Sequence, residues 1–254
     1  TATLGDNYSQ DIEDHFEKMP GNYFRFREDA SVPVHIKVVR QFLEKERIGN
    51  GTFECAGQAT DFIDRGYTEL AIVSRDQPHL LEKICCAIAA QGINVVSADI
   101  FTRTDGVVVD IFRVCTTDFG PVSDPKMREG FIKTIYDLGQ TDAYDPSKYL
   151  KRKANILRTR DTGGIAFPMR AHISNELHPT CTAIEVQAID RIGLLHDLFH
   201  AINQCGADTV HARICTEKGA AVDTLYVTLP GGGKVTDGFQ LACIDEKLQE
   251  ALKS

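Results

Sequence analysis

Residues 70–115 read LAIVSRDQPHLLEKICCAIAAQGINVVSADIFTRTDGVVVDIFRVC, and residues 184–228 read IEVQAIDRIGLLHDLFHAINQCGADTVHARICTEKGAAVDTLYVT. Asp76 aligns with Asp190, 114 positions further on. The same offset pairs Leu80 with Leu194, Leu81 with Leu195, Ile88 with Ile202, Gly92 with Gly206, Ile100 with Ile214 and Thr102 with Thr216. Self-similarity of this kind marks a duplicated structural unit. The second copy loses one residue where TDG becomes EKG, so Asp110 aligns with Asp223. A hairpin tip tolerates such a deletion well.

Each copy carries the same punctuation. A β-rich run (Leu70–Ser74, Ile184–Ala188) meets a turn, DQPH or DRIG. Leu80, Leu81, Ile84 and Ile88 then recur at helical spacing, as do Leu194, Leu195, Leu198 and Ile202. Pro78 suits the first turn of its helix. Gly92 and Gly206 stand where a left-handed C-cap belongs. Two alternating strands follow, joined at TDG or EKG. A second helix closes each copy, near Pro125–Leu138 and near Gly238–Leu252. Strand, helix, strand, strand, helix is the start of a βαββαβ unit, so the fold class is α+β, two ferredoxin-like modules with helices on one face of each sheet. The fourth strand of copy one is placed at 168–175, PMRAHISN. Copy two reaches Ser254 directly after its helix, and its open edge invites pairing by another segment or subunit. The expected division is a helical segment at 1–66, with helices near Asp11–Lys18 and Val34–Lys45, a first module at 67–140, a linker at 141–179 and a second module at 180–254.

Composition narrows the function. Of 254 residues 43% are hydrophobic, enough for real cores, and the formal net charge is -8. An acidic chain is disfavoured as a nucleic-acid binder. No apolar run is long enough for a bilayer, and TATLGDNYSQ has no signal-peptide pattern. Membrane and nucleic-acid partners are therefore not expected. Eight cysteines without a CxxC, mostly within apolar periodic segments, read as buried reduced thiols of a cytoplasmic protein.

TAIEVQAIDRIGLLHDLFHAI, ARICTEKGAAVDTLYV and GGGKVTD together resemble the ACT family of regulatory domains, as do YTELAIVSRDQPHLLEKI and FTRTDGVVVDIFRV in copy one. The match is closest to the tandem ACT region of bacterial protein-PII uridylyltransferase/uridylyl-removing enzymes. HFEKMPGNYF at 15–24 resembles the segment joining the HD and ACT parts of those enzymes. Neither a nucleotidyltransferase motif nor an HD motif is present in the sequence, so no catalysis is expected. The resemblance implies a sensor of a small molecule, an amino acid and in particular glutamine, in amino-acid or nitrogen metabolism. It also allows a homodimer through ACT sheets and an unidentified regulated protein. Two other readings stay open: a part or relative of the enzyme, and a ligand-free adaptor.

The ligand site is expected at the turn into each first helix, where free N–H groups and the positive end of the helix dipole suit a carboxylate. In copy two Ile192, Gly193 and Leu194 offer those amides after Asp190. The resemblance implies that Asp208, opening the second strand, holds an ammonium. The copy-one equivalents are Asp76, His79, Leu80 and Asn94, with His79 departing from the glycine pattern. Asp76 and Asp190 also suit helix caps. Asp110 and Asp223 suit a turn-bracing hydrogen bond. His196 and His200 have the spacing of two zinc ligands, but HDLFH lacks the glutamate of HExxH, and two exposed histidines on a solvated face are expected. No metal or cofactor is expected.

Overall fold

The computed structural model describes residues 4–25, 31–49, 53–141, 145–150, 168–217 and 219–253. Helices α1 (Ser9–Lys18) and α2 (Val32–Ile48) come first. The first module then runs β1 (Cys55–Phe62), β2 (Tyr67–Arg75), α3 (Leu80–Ala90), β3 (Asn94–Thr102), β4 (Val107–Cys115) and α4 (Pro125–Gly139). The second runs β5 (Arg170–Ser174), β6 (Thr182–Ile189), α5 (Leu194–Gln204), β7 (Asp208–Glu217), β8 (Ala220–Thr228) and α6 (Gly238–Lys253). The two ferredoxin-like modules follow the duplicated pattern closely.

The edge strands differ from expectation. Arg170–Ser174 pairs antiparallel with β6, Ile173 opposite Ile184, and so borders the second module instead of closing the first. The first module takes its edge from β1, which pairs with β2 through the bend at Gly66. Each module thus has the ferredoxin-like sheet order, but its edge strand arrives before the repeat unit. The open edge foreseen for the second copy is covered by a segment of the same chain.

The sheets join into one of eight strands, ordered β1-β2-β4-β3-β7-β8-β6-β5. The joint is short: Ser97, Ala98 and Asp99 of β3 lie opposite Cys215, Ile214 and Arg213 of β7. Both strands carry a bulge at the same repeat position, between Val95 and Ser97 and between Thr209 and His211. Helices α3 and α5 pack side by side over this joint, and one apolar core runs beneath them across both modules. In β2 and β4 almost every residue is buried, because Tyr23 and, from α2, Val38, Val39 and Phe42 cover the sheet's other face at Ala71, Val73, Val109 and Ile111. Strand β8 alternates instead, with Val222 exposed.

One cysteine expectation fails. Cys205, after α5, forms a disulfide with Cys243 on α6. The two lie 38 residues apart with no motif to pair them, and only the packing of α5 against α6 brings them together. Cys55, Cys85, Cys86, Cys115 and Cys181 are buried and outside any disulfide, as expected. Among the described residues no helix is long and apolar enough to cross a membrane.

Candidate ligand site between the modules

Both turns end in the same backbone shape. Gly193 caps α5 at φ 83°, and His79 caps α3 at φ 63°. Left-handed backbone is free for glycine but costs other residues about 1–2 kcal/mol. Copy one therefore makes the same bend against its side chain's preference. Helix α3 begins at Leu80, so Pro78 precedes the cap and does not sit in the first turn. The aspartates brace the turns: the Asp190 carboxylate accepts the Arg191 N–H, and the Asp76 carboxylate accepts the Gln77 N–H.

The remaining site residues exchange partners between modules. Asn94 Nδ2 donates to Asp190 Oδ2 at 2.8 Å, and Thr216 Oγ1 donates to the same oxygen at 3.0 Å. Asp208 accepts the backbone N–H of His79 as well as that of Thr209, the latter at 2.8 Å. So Asn94 meets the turn of copy two and Asp208 meets the turn of copy one, whereas the sequence order pairs each with its own. The cause is the antiparallel β3–β7 joint, which carries the start of each strand to the other module. Burial pushes the Asp190 carboxyl above its ordinary range, against the Asn94 and Thr216 hydrogen bonds that favour its charged form. Burial also raises Asp208, eased by the Thr209 and His79 amides.

A cleft of about 20 Å³ lies here, lined by Ala89 and Asn94 of one module and Asp190, Gly193, Leu194 and Thr216 of the other. That is room for roughly one water; pockets for small ligands are usually upwards of ~300 Å³. Two of the expected donors are engaged locally. Leu194 N–H reaches Arg191 O and Leu80 N–H reaches Gln77 O, each at 3.2 Å. Ile192 is not among the lining residues. Gly193 sits against α3, where an added Cβ would lie 3.8 Å from that of Ala89. Sequence reasoning missed Arg191 and Thr216, which both line the cleft. The Thr102/Thr216 identity was the available signal for Thr216. A larger groove, about 640 Å³, runs along β1 and α4, but none of the expected site residues lines it.

Other expectations shift as well. Asp223 Oδ1 accepts the Cys215 N–H at 3.1 Å, a brace between β8 and β7. Asp110 has no hydrogen-bond partner for either carboxylate oxygen among the described residues. Burial raises both carboxyls, Asp223 to about 7. His196 is not solvated: it is 3% exposed and, with the partly exposed His200, approaches the buried Glu82 of α3.

Residues 68–124 match the family model of the ACT domain. This stretch is an ACT domain. It covers β2 through β4, and the second module repeats the same elements in the same order. The chain is similar to bifunctional uridylyltransferase/uridylyl-removing enzymes. It is 32% identical over 197 residues to that of Gluconobacter oxydans, 35% over 205 to that of Azospirillum brasilense and 31% over 189 to that of Rhodospirillum rubrum. These stretches take in 78%, 75% and 74% of this chain but 21%, 20% and 20% of the relatives. The chain thus spans about a fifth of the length of the curated relatives it matches. Among solved structures, aspartate kinase from Synechocystis is similar with a TM-score of 0.40 and 12% identity, over 73% of this chain and 27% of that one. The ACT modules here are related to the matching region of the uridylyltransferases, and what the family match assigns is a regulatory domain.

Proposed function

We propose that this chain senses an amino acid, with glutamine the first candidate, at the cleft between its ACT modules. The observation that carries this reading is the crossed construction of the cleft. The turn and amide groups come from one module and the side chain opposite them from the other, so a molecule held there touches both. A ligand can then shift the packing of α3 on α5 by as much as its affinity differs between the open and closed arrangements. The closed cleft is too small for an amino acid, so binding has to separate the Asn94–Asp190 contact. The activity named for the relatives suggests the responder, a uridylyltransferase/uridylyl-removing unit of which this chain is a part or a relative, in the cytoplasm and in nitrogen metabolism.

A thermal-shift screen of the chain against the amino acids at millimolar concentration tests this, because a ligand that binds the native state raises the midpoint. Glutamine should raise it, and Gly193→Val and Asn94→Ala, both at residues that line the cleft, should abolish the rise while remaining folded. If no amino acid moves the midpoint, the ligand-free adaptor is the better reading, and the Asn94–Asp190 hydrogen bond that closes the cleft supports it.

A further inference from the structure

Beside the cleft, three side chains with metal-ligating atoms converge from two modules. Glu82 projects from α3, and His196 and His200 from successive turns of α5; one ligand atom from each lies within 4.8 Å of the others. Glu82 is 1% exposed and His196 3%. Glu82 Oε1 lies 2.6 Å from His200 Nδ1 and 4.0 Å from His196 Nε2. A buried carboxylate is costly unless cations or donors surround it. Here Asn203 Nδ2 donates to its other oxygen, and His79 Nδ1 stands 3.4 Å away at the rim.

The outer contacts are those of a metal-binding histidine. His196 Nδ1 lies 3.0 Å from Asp197 Oδ1, and Arg191 fixes that carboxylate at 2.7 Å. A carboxylate on Nδ1 favours the Nδ1–H tautomer and turns the Nε2 lone pair toward Glu82. This carboxylate–histidine relay is how proteins orient imidazole ligands and raise their basicity. Zinc bonds to nitrogen and oxygen near 2.0–2.2 Å place neighbouring ligand atoms of a tetrahedron about 3.3 Å apart. The observed 2.6 and 4.0 Å from Glu82 bracket that value, and with all three ligand atoms within 4.8 Å of one another, side-chain rotation can bring them to a common ion. His200, 35% exposed, leaves an entry path. Its Nε2 contacts Gln204 Nε2 at 2.8 Å, and a turned amide would present an oxygen to the Nε2–H that a metal on Nδ1 requires.

We propose that Glu82, His196 and His200 form a three-ligand site for a divalent transition metal of the zinc class, clamping α3 of one module to α5 of the other. The fourth position is open to water. The site is independent of the amino-acid reading, because its occupation is measured with no amino acid present.

The test uses the whole chain, stripped with EDTA and titrated with CoCl2 and then ZnCl2. One Co²⁺ per chain should bind with the visible absorption of a four-coordinate site and without a near-ultraviolet thiolate band. Zn²⁺ should displace it and raise the unfolding midpoint. Glu82→Gln and His196→Ala should weaken binding at least tenfold, and Asp197→Asn about tenfold, acting through His196. If the buried variants do not fold, His200→Ala, at a partly exposed position, keeps the test decisive and should also weaken binding at least tenfold. Absence of stoichiometric uptake, a thiolate band, or undiminished affinity in His200→Ala overturns the proposal.

Discussion

Strands β4 and β8 occupy the same place in the two modules and have opposite surroundings. VVVDIF in β4 is buried on both faces, under α3 and α4 on one side and α2 on the other. AAVDTLYVT in β8 is buried on one face only. A continuous apolar run suits a doubly covered strand, and alternation suits a half-solvated one. The same fold unit is thus filled differently according to whether a helix covers its outer face. The contrast teaches that the repeat specifies the inner face, while each copy's outer face follows its own neighbours.

The largest test of this contrast uses the aligned valines Val109 and Val222. Val109→Lys places a charge under α2 with no partner and should cost more than 4 kcal/mol, or unfold the first module. Val222→Lys, on the open face, should stay within about 0.5 kcal/mol. Urea denaturation of both variants measures the difference, and equal costs would dissolve the distinction between the faces.

Next in size is the pair Asp110 and Asp223. The Asp223 carboxyl is pushed up to about 7 by burial, whereas in the unfolded chain it sits at 3.8. Its contribution to stability is intact below about pH 4, is lost progressively as the pH rises, and is gone above about pH 7. Asp223→Asn should flatten that slope and exceed the parent in stability at pH 8 by a few kcal/mol. Asp110→Asn should act in the same direction and more strongly, because no hydrogen bond favours the charged form of Asp110. Denaturation midpoints at pH 5 and pH 8 decide both.

The smallest effects sharpen the comparison at the turns. Gly193→Ala should destabilise by about 1–2 kcal/mol, since the left-handed φ strains any Cβ. His79→Gly relieves that strain but frees the unfolded chain and loses the contact with Glu82, and should remain within about 1 kcal/mol of the parent. Two equal losses would mean that the backbone shape is not what distinguishes the caps.

These contrasts also locate what could be read from the letters. The stretch from β2 to β4 and its second copy were legible because matched apolar spacing, glycine caps and hairpin tips appear twice. Helix α6 was legible from the spacing of Leu241, Ile244, Leu248 and Leu252, and α1, α2 and α4 were foreseen to within a few residues. Strand β1 was not: CAGQATDF is small, polar and half-exposed, and it has no counterpart in RAHIS to register as a repeat. The turns and strand starts that bring Asn94, Asp190, Gly193 and Asp208 near the module joint were legible, but their contacts were not, because the order of residues does not reveal which strand of a neighbouring module lies alongside. His196 was misplaced for the same reason. It flanks the stripe of Leu194, Leu198 and Ile202, and only the arrival of α3 buries it.

The early arrival of each edge strand governs how the molecule can be cut. A fragment begun at the start of the second repeat, near residue 180, would leave behind the five residues that cap β6 and present a bare ladder of amides and carbonyls to solvent. One begun before Arg170 would carry its own border. The natural seam for dissection therefore lies upstream of the repeat, and a truncation series on either side of Arg170 should pass from precipitate to well-behaved protein within a few residues.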